Sequence, residues 1–430
     1  MTINTIHSIF LECSTVSTDT RKIEKDCLFV ALKGEKFDAN TFTKEALEKG
    51  AKYVIIDNAE FYINNKTILV TNSYETLQEL AKYHRNYLGL PIIALTGSNG
   101  KTTTKELITA VLSIKYNTIA TIGNLNNHIG VPLTLLRFTK DTEIGIVEMG
   151  ANHQKEIEFL CKIAQPNYGY ITNFGKAHLE GFGGVEGVIK GKSEMYNYLK
   201  ENHKLAFVNL DDIIQNEKTN ELKRYSFSTN EKKCDVHISK IEANPMVKIN
   251  YNDLTINSNL IGVYNANNIN AAIAIGKYFE VPDKLIKIAI ENYIPENNRS
   301  QMIQKNGNEI ILDAYNANPS SMNAAIANFI QLDKANKITI LGDMFELGEE
   351  SLTEHKKIIQ LLENESEITT YFIGKNFYAN KTNKTNKTHV FFFEDFSSFE
   401  KYLNENKPSN SLILIKGSRG MALEKTLDIL

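Results

Sequence analysis

The stretch from Pro91 to Lys105, PIIALTGSNGKTTTK, carries the most explicit chemistry in the chain. Ile92, Ile93, Ala94 and Leu95 read as a short buried strand, and Thr96-Gly97-Ser98-Asn99-Gly100 interrupts it with turn residues. Gly97 and Gly100 let the backbone bend close to an anion. A helix beginning near Lys101 would aim unpaired N–H groups and the positive end of its dipole at the same point. Lys101 can reach β- and γ-phosphates, and Thr102, followed by Thr103, can offer a hydroxyl to Mg²⁺. The longer phosphate-loop pattern would want glycine where Leu95 stands, so the motif is the shorter G-x-x-G-K-T. Its strand–loop–helix context predicts ATP binding.

The elements that must position this loop read as three α/β segments. Residues 1–89 alternate short apolar runs (Cys27 to Leu32, Tyr53 to Asp57, Thr67 to Val70) with helical patterns and end in a helix from Tyr74 to Leu88. Residues 90–296 carry strands at Ile92, Glu143, Tyr168 and Leu205 separated by helical stretches, which predicts a parallel sheet with ligands at its carboxyl ends. The pattern resets over residues 297–430, with strands ending in Asp313, Asp343 and Lys416. The expected fold is therefore a central P-loop-type mononucleotide-binding sheet flanked by a small N-terminal α/β domain and a Rossmann-like C-terminal one. A chain of 430 residues fits that division.

Composition bounds the partners. Apolar content of 42% with 23% charged residues is globular, and a net charge of −3 offers no basic field for nucleic acid or an anionic membrane. Cys13, Cys27, Cys161 and Cys234 lack metal or disulfide spacing, and no apolar run approaches a membrane span. The expectation is a cytoplasmic protein with reduced thiols.

Several polar residues stand where a parallel sheet would present them. Glu148 ends an apolar strand at the edge where a nucleotide-bound Mg²⁺ would lie. His178 follows the strand YGYITNFG, and KGSRG suits an anion through Lys416, Ser418 and Arg419. Ser17-Thr18-Asp19-Thr20-Arg21 reads alone as a helix cap with a nearby ion pair. Lys192, in GVIKGKSEMY, reads alone as a solvent-facing helical lysine beside Lys190. The repeat Asn380 to Thr388 reads as a solvated loop.

Taken together, TGSNGKTTT, NLNN-x-IGVP (Asn124 to Pro132), Gly262 to Asn268, LDAYNANPSSM, LGDMFELGEES and KGSRGMALE resemble the Mur ligase family of ATP-dependent ligases over nearly the whole chain. That resemblance implies ATP and two Mg²⁺ ions, with Ser98 and Asn99 in the phosphate loop, Asn268 toward adenine, and Arg299 and Asp313 also on the nucleotide. It implies a metal set of Glu148, His178 and a carbamylated Lys192. It assigns Ser17, Thr18, Asp19, Arg21, Lys33, Gly34 and Asp38 to a uridine diphosphate end, and Asn126 and Asn127 to a growing peptide. Tyr315, Asn316, Asn318, Phe345, Lys416, Ser418 and Arg419 fall to an incoming dipeptide. Within the family these motifs look most like the branch that joins UDP-N-acetylmuramoyl-tripeptide to D-alanyl-D-alanine, acting as a monomer. Asn40 and Tyr264 stand where that pattern usually has histidine. The diaminopimelate-adding branch usually carries D-N-P-R, which is absent here, and folylpolyglutamate synthase has the short loop without the N-terminal motifs.

With no G-x-S-x-G elbow or Cys–His nucleophile evident, carboxylate activation by phosphoryl transfer followed by amine attack is the simplest chemistry. A nucleotide-holding switch without ligase chemistry is the reading from another class.

Overall fold

In the computed structural model, which describes residues 1–381 and 387–430, three sheets follow one another along the chain. The tip of the Asn380 to Thr388 repeat lies outside the described residues. The N-terminal sheet has four parallel strands, Val16–Ser17, Leu28–Val30, Tyr53–Ile56 and Thr67–Leu69, in that order.

The central sheet is larger than the sequence suggested. Its parallel core runs Leu205–Asn209, Tyr168–Ile171, Ile92–Thr96, Ile144–Glu148, Thr118–Ala120. Beyond Leu205–Asn209 it continues through Lys223–Ser228 and Val236–Ala243, then turns antiparallel through Met246–Tyr251 and Leu254–Ile261. These later strands alternate buried and exposed residues because one face only meets the core, so they lack the continuous apolar runs of the parallel strands. The helix Ala266–Tyr278, rich in alanine, covers them and lies against the loop-bearing helix Lys101–Leu112.

The C-terminal sheet places Gln301–Lys305 antiparallel to Asn308–Asp313, followed by parallel Leu412–Lys416, Lys337–Gly342, Ile368–Ile373 and Val390–Phe393. Among the described residues no helix is long and apolar enough to cross a membrane.

One helix ties the first sheet to the second. Ser73–Leu88 is capped by Asn72, whose side chain accepts from the Tyr74 and Glu75 amides, and ends at Gly89 in the left-handed region (φ 66°). On its buried face the Arg85 guanidinium donates to the carbonyls of Ala164 (3.2 Å) and Gln165 (3.0 Å) and to Asn167 Oδ1 (2.9 Å). Asn167 Oδ1 also accepts from the Ile92 amide at 3.0 Å, so this arginine helps fix the start of the phosphate-loop strand. Beside it His84 reaches the Phe138 carbonyl at 2.8 Å and His7 at 3.0 Å, and burial pushes His7 down to about 4.

Arg85→Ala removes the guanidinium donor to the Ala164 and Gln165 carbonyls and one of the two donors to Asn167 Oδ1, so it should lower unfolding free energy by about 1–3 kcal/mol. Urea denaturation checks this. An unchanged midpoint would mean the arginine is replaceable at that seam.

Candidate active site

A cleft of about 1060 Å³ is lined from the central sheet by the phosphate loop, Glu148 and His178, and from the C-terminal sheet by Tyr315, Asn316 and Phe345. Three parallel strand ends meet there. Register sets Ile171 opposite Thr96 and Glu148 opposite Leu95, so the loop leaves its strand between two neighbours that end level with it.

The loop is bolted to one of them. The Ser98 amide donates to the Asn173 carbonyl (3.1 Å), and the Asn99 amide to Asn173 Oδ1 (3.1 Å). The Asn99 carbonyl accepts from Thr172 Oγ1 (2.6 Å) and Asn173 Nδ2 (3.0 Å). Gly97, at φ 145°, is required by this closeness, since a Cβ there would lie 1.9 Å from Thr172 Oγ1. Gly100 caps the helix Lys101–Leu112 in the left-handed region (φ 78°), and that helix presents Thr102 and Thr103 in its first turn. Lys101 folds back to the Gly97 carbonyl at 2.7 Å. Burial pushes its amine below the ordinary lysine range, with Arg299 adding to the effect and Glu148 opposing it.

Glu148 is 1% exposed. Its Oε1 accepts from Asn126 Nδ2 (2.8 Å) and Thr102 Oγ1 (3.2 Å), while Oε2 is buried with no hydrogen-bond partner among the described residues. A buried carboxylate oxygen left free beside a threonine hydroxyl fits a hard divalent cation. Asn127 is used differently: its Oδ1 accepts from the Ile129 and Gly130 amides and shapes the loop before Gly130–Leu135.

Of the expected metal set, Glu148 and His178 line the cleft, and Lys192 lies near enough to His178 to act on its charge. No group of three His, Cys, Asp or Glu side chains could hold an ion among the described residues. The His178 ring is hydrogen-bonded to Glu346 of the C-terminal unit, and burial pushes it below its ordinary value, Glu346 opposing and Lys101 and Lys192 adding. Lys192 is 1% exposed, whereas Lys190 is exposed, so the solvent-facing reading of Lys192 fails. Val188, Met195, Tyr196 and Leu199 place it on the buried stripe of the helix Val185–Glu201. Its Nζ lies 5.1 Å from the Phe182 ring centroid, and burial, with Lys101 nearby, holds the amine well below the usual lysine range. An amine so disposed gives up its proton more readily than an ordinary lysine and is the more nucleophilic for it.

Asn268 lines the cleft with its amide already engaged: Oδ1 accepts from Thr104 Oγ1 (3.0 Å) and Nδ2 donates to Asn265 Oδ1 (2.8 Å). A Cβ on Gly100 would approach Asn268 Oδ1 to 2.5 Å, so this asparagine backs the phosphate loop. Tyr264 shares a hydrogen bond with Ser300 Oγ at 2.9 Å.

From the C-terminal sheet, the Arg299 guanidinium stacks 3.6 Å from the Tyr315 ring centroid, and its Nε is buried without a partner among the described residues. Lys416 and Asp313 pair at 2.6 Å and largely cancel each other's charge. Asn316 Oδ1 accepts from the Ala317 amide at 2.9 Å. Asn318 caps the helix Pro319–Gln331, and its Nδ2 donates to Asn99 Oδ1 of the phosphate loop at 2.7 Å, so replacing it would disturb both sides of the cleft. Phe345 faces the cleft and is 41% exposed.

KGSRG is less available to an anion than its composition suggests. Ser418 is buried, its Oγ accepting from the Phe345 amide (2.8 Å) and donating to the Ala317 carbonyl (3.3 Å). Arg419 pairs with Glu424 at 2.9 Å, and neither residue lines the cleft. A short 3-10 turn, Arg419–Met421, follows the strand in place of a helix N-terminus.

The N-terminal candidates lie outside this cleft. Ser17 is buried in its strand, Thr18 is half-buried, and the Asp19 side chain caps the turn Thr20–Lys22 and pairs with the exposed Arg21 at 2.8 Å. Lys33–Gly34 and Phe37–Asp38 form a small antiparallel hairpin, with Lys33 and Asp38 3.8 Å apart. Asn40 is fully buried and bonded to Asp38 and Asp57, a structural use of the position. Sequence reasoning passed over Asn173, which clamps the loop, and the run Asn152 to Glu156, which lines the cleft. The signal was there: a polar run directly after a strand ending in Glu148.

Known proteins match this arrangement along the chain. Residues 12–85, 95–276 and 298–419 match, in turn, the Mur ligase family catalytic domain, the Mur ligase middle domain and the Mur ligase glutamate ligase domain. The UDP-N-acetylmuramoyl-tripeptide–D-alanyl-D-alanine ligase of Bacillus subtilis is 36% identical over 95% of this chain and 91% of its own. That of Escherichia coli is 33% identical over 96% and 92%. A crystal structure of MurF from Acinetobacter baumannii superposes with a TM-score of 0.85 at 30% identity, covering 99% of this chain and 97% of the other. MurF from Thermotoga maritima in complex with ADP gives 0.84 at 26% identity, covering 98% and 97%. With these matches spanning every sheet that builds the cleft, the chain belongs to the Mur ligase family.

Proposed function

We propose that the protein is the cytoplasmic ATP-dependent ligase that joins D-alanyl-D-alanine to UDP-N-acetylmuramoyl-tripeptide in peptidoglycan precursor synthesis. The observation that carries this reading is one cleft holding a phosphate loop and a buried Glu148 carboxylate oxygen with no hydrogen-bond partner among the described residues, in a chain 36% identical to a ligase of that name. Steady ADP release requiring both the UDP-linked tripeptide and the dipeptide tests it. Release with neither would favour a nucleotide-holding switch.

The substrate carboxylate oxygen attacks the γ-phosphorus of ATP, the bond to the β-phosphate oxygen breaks, and ADP leaves an acyl phosphate. The dipeptide amine then attacks the acyl carbon, loses a proton, and phosphate departs with the carbon–oxygen bond. The loop amides of residues 100–102, beyond those clamped to Asn173, and the Lys101 amine on turning from the Gly97 carbonyl would stabilise the charge of the transferring group, Thr103 lying in the same helical turn. Thr102 and Glu148 would hold Mg²⁺, which when bound neutralises phosphate charge. Lys192, were its neutral amine to add CO₂ and release a proton to give a carbamate, would with His178 offer ligands to a second such ion. Arg299 and Asp313 flank the nucleotide side, with Asn268 fixing the loop. Tyr315, Asn316, Asn318 and Phe345 border the dipeptide, Asn126 and Asn127 the tripeptide. Asp19, Arg21, Lys33 and Asp38 remain for the distant UDP end.

Lys101→Ala should cut ADP release by about a thousandfold with the fold intact, since it removes a charge from the loop and no core volume. Near wild-type turnover would sink the loop assignment.

Lys192→Ala should be nearly inactive and partly restored by a small added carboxylate, whereas Lys190→Ala stays near wild type. Equal losses at both would put the chemistry on the wrong lysine. Lys192→Met should also raise the thermal midpoint in CO₂-depleted buffer. The native amine sits below its unfolded value, so in the window between them the unfolded chain binds the extra proton and wild-type stability rises with pH. The advantage of Lys192→Met should therefore shrink as pH climbs from neutrality. A constant advantage would mean the amine titrates normally.

A further inference from the structure

The central and C-terminal units meet at the edge of the cleft. The N-terminal turn of the helix Pro319–Gln331 sits directly on the central unit: Asn318 Nδ2 donates to Asn99 Oδ1 (2.7 Å), and the Lys176 amide donates to Ser320 Oγ (2.8 Å). Gly175 permits this approach, since a Cβ there would lie 2.9 Å from Asn99 Nδ2 and 3.0 Å from Ser320 Oγ. Next to it the Lys176 ammonium crosses to Glu354, on the helix Ser351–Glu363 of the C-terminal unit, at 2.8 Å.

The two partners are unequally placed. The Glu354 side chain is 3% exposed and is held on its own helix by Lys357 at 2.8 Å, whereas the Lys176 side chain is 38% exposed. If the units part, Glu354 keeps Lys357 and is never left as a lone buried charge, and Lys176 passes into water. Breaking the cross-unit bond is therefore inexpensive and reversible, unlike breaking a buried pair that has no second partner. Neither Lys176 nor Glu354 touches the cleft, so neither meets a substrate.

We propose that Lys176 and Glu354 form a positioning latch, which holds the C-terminal unit against the phosphate loop and so raises dipeptide affinity by favouring the closed arrangement. The names of the ligands rest on the ligase reading above, while the latch itself rests on the contacts between units. A ligand that binds only the closed form loses affinity in proportion to the closed population, so a single lost charge-assisted bond should weaken it about three- to tenfold.

The test uses full-length Lys176→Met and Glu354→Gln, their double variant, and Gly175→Ala, which props the units apart without altering charge. Small-angle scattering of the ligand-free proteins should show a larger radius of gyration for Lys176→Met and Gly175→Ala. KM for D-alanyl-D-alanine should rise about three- to tenfold in Lys176→Met with kcat within about twofold, and the double variant should be no worse than the poorer single one. A thermal midpoint unchanged in Lys176→Met would support positioning, and a lowered one would mark the pair as merely structural. Unchanged scattering and dipeptide KM in Lys176→Met would overturn the latch, as would additive losses in the double variant. Absence of dipeptide-dependent ADP release from the wild type would count against the ligase reading instead, and the scattering arm would still decide the latch.

Discussion

The clamp between the phosphate loop and the end of the strand Tyr168–Ile171 is the constraint on which the rest of the site depends. Thr172 and Asn173 together engage both the amide and the carbonyl of Asn99, so the loop's backbone groups are fixed before any phosphate arrives. A loop ordered in advance loses less entropy on binding, and its remaining N–H groups point where an anion must sit. Sheet register does the positioning. Because Thr96 faces Ile171 and Leu95 faces Glu148, one parallel sheet delivers the loop, its clamp and the free carboxylate to a single edge. Thr104 and Asn268 brace the loop from its other side through a buried hydrogen bond.

How much of this was legible in the sequence follows from what each signal depends on. The parallel strands were readable because both their faces are buried and their residues form unbroken apolar runs, each ended by a polar residue with work at the sheet edge. The antiparallel extension from Val236 to Ile261 was not, because its half-exposed strands mix lysine, asparagine and serine with isoleucine. Lys192 is instructive, since its neighbours at three- and four-residue spacing are Val188, Met195 and Tyr196. The helical period pointed inside, but lysines seldom lie there, and the residue type prevailed in the solvent-facing reading that the structure overturns. Partners distant in sequence were beyond reach. Nothing near His178 announces Glu346, and nothing in KGSRG shows that Ser418 is consumed by Phe345 and Ala317.

The cleft's charges divide into those already balanced and those that are not. Lys416 is paired with Asp313, and Arg419 with Glu424, so the C-terminal strand end contributes little free positive charge. Lys101 and Lys192 have no carboxylate within salt-bridge distance among the described residues; Lys101 lowers Lys192, and both lower His178. Burying amines without carboxylate partners costs stability and favours their neutral form, a cost that makes sense where anions are to be received. Phosphates and a substrate carboxylate entering the cleft would favour the charged form of Lys101, coupling anion binding to proton uptake. The Oε2 of Glu148 is the counterpart with opposite sign, an acceptor beside Thr102 with no donor among the described residues. A cation between that carboxylate and the phosphates would satisfy both, which is why charges of both signs are left unpaired within one cleft.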